Sequence, residues 1–145
     1  RKTGRDGGQT AKGIAAQIAN TEADLLKSGS ANAKAMAARL KAAREAFLNV
    51  VDFVVAGAKA SPNAVFAGSV PYLMLTGNLV AGWQMARALL VAEAELAKGN
   101  EAVFMQSKIT TARFYADHIL TKVPGMRDSI VDGADSVTEL ALDAF

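Results

Sequence analysis

Apolar positions along this chain recur at steps of three and four rather than two, the period of helices that hide one face. The signal is clearest from about Ala31 to Ala60. Met36, Leu40, Ala43, Phe47, Val50 and Val54 share one stripe, while Arg39, Lys41, Arg44 and Glu45 fall mostly elsewhere, so one face is core and the other is wet. Before it, from about Gln9, Ile14, Ile18, Leu25 and Leu26 define a first helix, with Glu22, Asp24 and Lys27 largely off the stripe and Ser28-Gly29-Ser30 as its stop. Ser61-Pro62-Asn63 breaks the second helix, and Pro62 suits the first turn of the next.

The third helix is predicted from about Pro62 to Lys98, closed by Gly99-Asn100, and no charge occurs between Lys59 and Arg87. A helix apolar nearly all round is either buried or a membrane span. Ser69, Pro71, Thr76, Asn78 and Gln84 interrupt the apolar run and no second span accompanies it, which favours a buried central helix. Pro71 cannot donate to the carbonyl of Ala67, so a kink or a break into two segments is expected there. A fourth helix is predicted from about Glu101 to Lys122, with Val103, Phe104, Ser107, Ala112, Phe114, Tyr115 and Ile119 facing inward and Pro124-Gly125 as its stop. In the tail, Ile130, Ala134, Val137, Ala141 and Phe145 form one stripe, and Asp128, Asp132, Asp135, Glu139 and Asp143 form another.

This pattern predicts an all-α fold, an antiparallel bundle of four long helices plus a short C-terminal helix. Residues 1–8, glycine-rich and charged, read as a linker; 9–127 as the bundle; 128–145 as an acidic amphipathic tail helix.

Composition sharpens the picture. The apolar fraction is 51%, but 30 of those residues are alanines, which favour helix while burying little surface. Such helices must pack closely. Without cysteine there is no disulfide framework, thiolate nucleophile or cysteine-based metal site, and a cytoplasmic protein is the simplest expectation. The chain begins at Arg1 with no apolar h-region in its first residues, which leads us to expect a domain of a longer polypeptide. All 16 basic residues lie in 1–127 with nine acids, and the tail carries five acids alone, leaving a body of +7 and a tail of −5. The basic residues are spread over every predicted helix instead of forming one stripe with aromatic platforms, which argues against nucleic-acid binding.

Candidate chemistry is thin. Gly8-Gln9-Thr10-Ala11-Lys12-Gly13 has the glycine spacing of a phosphate loop, but Ile14 and Ala15 stand where the Lys and Ser or Thr should be, so the match fails. His118 is the single histidine and adjoins Asp117. Neighbours in a helix point to different sides, so the pair makes neither a metal site nor an acid–base dyad, and the imidazole better suits the helix C-terminus. Trp83 and Gln84 lie among the small residues Gly77, Gly82 and Ala86. Plain packing accounts for them, and the sharper alternative is a contact of Trp83 with a bound cofactor or substrate group at a domain boundary. The tail carboxylates are placed either in solvent, docked on Arg39, Lys41 and Arg44, or docked on another subunit. No residue is assigned a catalytic or metal-binding role, and cofactor-binding residues are left unassigned.

Three stretches together carry a resemblance. Gly4-Arg5-Asp6-Gly7-Gly8 after Arg1-Lys2, Pro71-Tyr72-Leu73-Met74-Leu75-Thr76-Gly77 followed by Trp83, and Lys108-Ile109-Thr110-Thr111-Ala112-Arg113-Phe114-Tyr115-Ala116 resemble the C-terminal helical-bundle domain of the large acyl-CoA dehydrogenases. Pro71 departs from the polar, helix-compatible residue expected of relatives at that place. The resemblance implies a parent enzyme that oxidises acyl-CoA to 2-enoyl-CoA, with FAD taking the hydride, a glutamate upstream of this chain removing the α-proton, and electron-transfer flavoprotein as partner. It further implies that this bundle packs on the remaining domains of the parent, supports association of a homo-oligomer, binds no FAD alone and has no activity alone. A free-standing helical interaction module is the alternative reading. No membrane span is expected.

Overall fold

The computed structural model describes residues 2–144, with a first helical turn α1 (Lys2–Arg5) followed by α2 (Gln9–Ser28), α3 (Ala31–Ala60), α4 (Pro62–Ala67), α5 (Ser69–Ala97) and α6 (Ala102–His118). A 3₁₀ turn (Leu120–Lys122) leads into α7 (Val123–Val131) and α8 (Ala134–Thr138), and a second 3₁₀ turn covers Leu142–Ala144. Among the described residues there is no strand. The fold is the all-α bundle predicted, with four long helices.

Side-chain pairings set its directions. Lys12 bonds Asp52 and Glu22 bonds Arg44, so α2 and α3 run antiparallel. Tyr72 stacks near Phe47, and Glu93 reaches Ser30 at the far end, which makes α5 antiparallel to α3. Tyr115 donates to the carbonyl of Asn78, while Met105 and Lys108 lie beside Arg87 and Val91, and α6 turns back along α5.

The first two helices begin and end as their sequence signals require. Gly29 adopts a left-handed conformation and returns its N–H to the carbonyl of Leu25, a glycine C-cap. Ser30 then accepts from the N–H of Ala33 at 2.9 Å and caps α3, satisfying one of the free donors at a helix start. Met36, Leu40, Ala43, Phe47, Val50 and Val54 are all buried. The central position expected for the third helix belongs instead to α3, which packs against α2, α4, α5, α6 and α7. Leu26, expected on the inner stripe of α2, is exposed.

The third segment divides in two, with the break at Gly68. The proline falls in the first turn of α5, and the N–H of Tyr72 reaches the carbonyl of Gly68. A residue without an N–H costs nothing at a place where no intrahelical acceptor is available. α5 is not buried all round. Leu75, Leu79, Gly82, Ala86, Leu89 and Ala92 face the core, and Val70, Leu73, Met74 and Val91 face solvent. No helix among the described residues is long and apolar enough to cross a membrane.

The inner face expected for the fourth helix is also corrected. Ile109, Ala112 and Ala116 are buried, whereas Val103, Phe104 and Phe114 are exposed, Val103 by 85%. α6 stops at His118, not at Pro124. Leu120 and Val123 plug into the core and Pro124 sits in the first turn of α7. The segment expected as a linker holds the turn α1, whose Thr3 hydroxyl pairs with that of Tyr72 at 3.1 Å. The tail helix expected from residue 128, weakened at Gly133, is α7, which starts earlier at Val123, and the short α8, with the break at Asp132 and Gly133. Phe145 lies outside the described residues.

Close packing is tightest where α5 meets the chain leaving α6. A Cβ placed on Gly82 would lie 2.5 Å from Cδ2 and 2.9 Å from Cγ of Leu120, inside van der Waals contact. Gly77, one turn and a half earlier, has nothing within 4 Å of that position. Gly82→Ala should therefore lower stability by about 1–3 kcal/mol of overpacking, less up to ~1 kcal/mol gained in helix propensity. Gly77→Ala should be neutral or stabilising, and urea unfolding of the two variants checks the contrast.

Candidate docking surface

Polar groups that cross between helices are few and specific. Glu22 and Arg44 form a two-pronged pair at 2.7 and 2.9 Å, with side chains only 9% and 16% exposed. Hydrogen bonding to the carboxylate raises the Arg44 pKa, opposed by its desolvation. The Trp83 indole N–H donates to the Thr21 hydroxyl at 2.8 Å, and the Ser28 and Ser30 hydroxyls both donate to Glu93. These bonds fix the register of α2, α3 and α5. Trp83 is half-buried, with Arg87 5.9 Å above its ring. Gln84 accepts from Arg87 at 3.0 Å.

The histidine and its neighbour are not a dyad. Asp117 turns to Arg113 at 2.5 Å and to Arg39 at 3.8 Å, and the His118 ring packs on Phe114 with centroids 4.4 Å apart. The Arg113 hydrogen bond holds the Asp117 carboxyl below its ordinary value of 3.8, with desolvation opposing and the charges of Arg113, Arg39 and His118 assisting. Among the described residues no group of His, Asp and Glu is arranged to hold a metal.

The glycine run at the start of α2 was a candidate phosphate site, and its anion position is already filled. Asp6 accepts from the backbone N–H groups of Gly8 and Thr10, each at 3.0 Å, and from the Thr10 hydroxyl at 2.5 Å. These bonds lower the Asp6 pKa, the Thr10 hydroxyl contributing most. A carboxylate there repels phosphate where a phosphate loop offers bare donors. The residues present do not fit the pyrophosphate of a dinucleotide. Gly7 and Gly8 are positive in φ, and a Cβ on Gly8 would meet Val51 at 2.8 Å, so these glycines serve the tight turn into α2, with Gly8 pressed against α3.

The basic residues of α3 take partners other than the tail carboxylates. Arg39 pairs with Asp117, Lys41 with Glu45 and Arg44 with Glu22, while Asp128 and Asp132 converge on Arg127 at 3.0 and 2.5 Å.

What remains open is apolar. Phe66, Val70, Leu73 and Met74 are exposed at the junction of α4 and α5, Leu73 by 72%. Phe66 and Leu73 border a groove of about 430 Å³ with Lys2, Thr3 and Val65, and a cavity of about 590 Å³ beside it is lined by Lys2, Arg5, Ile14, Phe47 and Tyr72. A second exposed strip, Val91 with Phe104, lies toward the other end of α5. Contiguous apolar faces rimmed by polar groups mark contact with another protein surface. Sequence reasoning missed both because it placed these residues inside.

The class so defined is an all-α bundle whose open features are apolar faces. Its family follows from comparison with known proteins. Residues 11–141 match the family described as acetyl-CoA dehydrogenase C-terminal like, and the chain belongs to that family. It is 48% identical over 142 residues to 3-methylmercaptopropionyl-CoA dehydrogenase of Ruegeria pomeroyi, covering 98% of this chain and 24% of that protein. It is 36% identical over 81 residues to the broad-specificity linear acyl-CoA dehydrogenase FadE5 of Mycobacterium tuberculosis, covering 54% of this chain and 13% of that one. The chain thus spans about a quarter or less of the length of these relatives and corresponds to the C-terminal domain of acyl-CoA dehydrogenases.

Two outcomes check the site's electrostatics. Arg44→Ala leaves the buried Glu22 carboxylate unpaired and should cost about 3–5 kcal/mol, whereas Glu22→Met with Arg44→Met should recover much of it; thermal or urea unfolding reads both. Asp117 is lowered in the folded state, so its stabilisation is present above the ordinary value of 3.8 and is lost as pH falls through the lowered one. Asp117→Asn should flatten the acid limb of stability against pH, measured by unfolding between neutral pH and pH below 3.8.

Proposed function

We propose that this chain is the accessory helical bundle of an FAD-dependent acyl-CoA dehydrogenase, packing on the remaining domains of its polypeptide and supporting subunit association. The observation that carries the reading is the apolar face of Phe66, Val70, Leu73 and Met74, open beside the turn α1, in a chain matching only about a quarter of a dehydrogenase 48% identical to it. Such a face is stabilised only when covered.

The dehydrogenation removes a proton from the α carbon and a hydride from the β carbon of an acyl-CoA, and FAD supplies the hydride acceptor in the parent enzyme. The glutamate base and the flavin site are assigned to the other domains, with electron-transfer flavoprotein as the partner that reoxidises the cofactor. Asp6 at the glycine run supports that assignment, because it turns a carboxylate toward the place a phosphate would need. A cytoplasmic location fits a chain without cysteine. The role of the bundle is mechanical. Its polar crosslinks hold α2, α3 and α5 in fixed register, so the docking face is presented as a rigid surface at little entropic cost.

Phe66→Asp with Leu73→Asp tests this. Both sites are exposed, so unfolding of the 145-residue chain should change by no more than about 0.5 kcal/mol. The complete dehydrogenase polypeptide should lose several degrees of melting temperature and become more susceptible to proteolysis between its domains. An unchanged complete enzyme would remove the docking reading, and turnover of acyl-CoA by the 145-residue chain with added FAD would remove the accessory one.

A further inference from the structure

We propose that the strip between α5 and α6 formed by Arg87, Val91, Phe104 and Lys108 receives the acidic C-terminal segment of a second copy of this chain. The proposal deepens the subunit-association part of the function above by naming the surface and its partner.

The strip is an open groove of about 420 Å³ whose apolar lining includes Ala88, Ala92 and Met105. It carries two cations. Lys108 Nζ stands 5.0 Å from the Phe104 ring centroid, and Arg87 lies over Trp83 with Gln84 as its hydrogen-bond partner. Among the described residues neither enters an ion pair, and each is held over an aromatic ring instead. Two positive charges held on aromatic faces beside exposed Val91 and Phe104 fit a segment that is both acidic and apolar.

The chain carries such a segment. Beyond α7, Val137 and Leu140 are exposed by 66% and 65%, and Glu139 and Asp143 form no ion pair among the described residues. Asp128 and Asp132 are already held by Arg127, which leaves Glu139 and Asp143 as the charges this segment offers a partner. It cannot serve its own strip. α8 packs against α4, which directly precedes α5, and Val91 lies roughly 30 Å farther along α5 at about 1.5 Å per residue. From the end of α8 at Thr138 the chain to Asp143, even fully extended, reaches about 18 Å. Two copies with their α5 helices antiparallel place each tail at the other's strip, a self-complementary contact that closes at two.

The test uses the complete dehydrogenase polypeptide. A zero-length carbodiimide joins a lysine amine to a carboxylate in contact with it. In a mixture of light and heavy-nitrogen-labelled protein, mixed-isotope peptides linking Lys108 to Glu139 or Asp143 are expected. Arg87→Glu with Lys108→Glu should weaken association by about tenfold or more, Glu139→Lys with Asp143→Lys likewise, and the four changes together should restore it. Far-ultraviolet circular dichroism monitors folding, and restoration by the fourfold variant decides the matter if no cross-link forms. Coupling of Lys108 only to carboxylates outside this chain, association unmoved by either reversal, or a fourfold variant that still dissociates would overturn the proposal. The Phe66 and Leu73 variants are read by melting and inter-domain proteolysis, not by the Lys108 cross-link or the charge swap, so that reading stands or falls separately.

Discussion

Everything in this bundle depends on how closely α3 can be approached. An alanine-rich helix has little apolar area to bury, so cohesion comes from bringing backbones near enough for small side chains to fill the gap. Ala33, Ala37, Ala43 and Ala46 on α3, with Ala86, Ala92, Ala112 and Ala116 from its neighbours, are buried together with the larger Met36, Leu40, Phe47 and Val50. The same constraint explains Gly82 against Leu120 and Gly8 against Val51, where even a methyl group is too much. A surface made of alanines is smooth, and smooth helices slide. The polar crosslinks supply what the apolar contacts lack. Trp83 on Thr21, Glu93 on both Ser28 and Ser30, and Glu22 on Arg44 each join different helices at one register, and breaking any of them strands a partly buried polar group.

The legible part of the sequence was the part with contrast. α2 and α3 have charges on one side and apolar residues on the other, with Gly29, Ser30 and Pro62 marking the ends, and the structure places their limits at Gln9, Ser28, Ala31 and Ala60. α5 offered no such contrast, because an apolar residue on an almost uncharged helix says nothing about direction. Its buried residues proved to be the row through Leu75, Leu79, Gly82, Ala86 and Leu89. In α6 the bulky residues misled. Val103, Phe104 and Phe114 looked like core, but the face that meets α5 and α3 is the one with Ile109, Ala112 and Ala116, since only small residues let this helix come close. Pro124 misled in another way, starting a helix rather than ending one.

The candidate site was legible only as an absence of chemistry. The failed phosphate loop was visible in the sequence, but not its cause, since Asp6 reaches forward to the donors of Gly8 and Thr10 through a turn that spacing does not reveal. The docking faces could not be read, because exposure of Leu73 or Phe104 is decided by the packing of the other helices and carries no local signal. Membership of the acyl-CoA dehydrogenase C-terminal family was legible from three short runs, and two of them contain residues that tie helices together, Tyr72 to Thr3 and Tyr115 to Asn78.

The distribution of apolar surface follows from this architecture. α3 shows solvent only small and polar residues such as Lys34, Arg39, Lys41, Glu45 and Asp52, so apolar contact with other proteins falls on the outer helices. α4, α5 and α6 are the ones whose outward faces keep Phe66, Leu73, Val91 and Phe104 in solvent. The two exposed regions lie at opposite ends of α5, a helix of 29 residues and therefore about 43 Å long. Because the register of α5 is pinned by Trp83 and, near its C-terminal end, by Glu93, the helix acts as a strut that sets the separation of the two exposed regions.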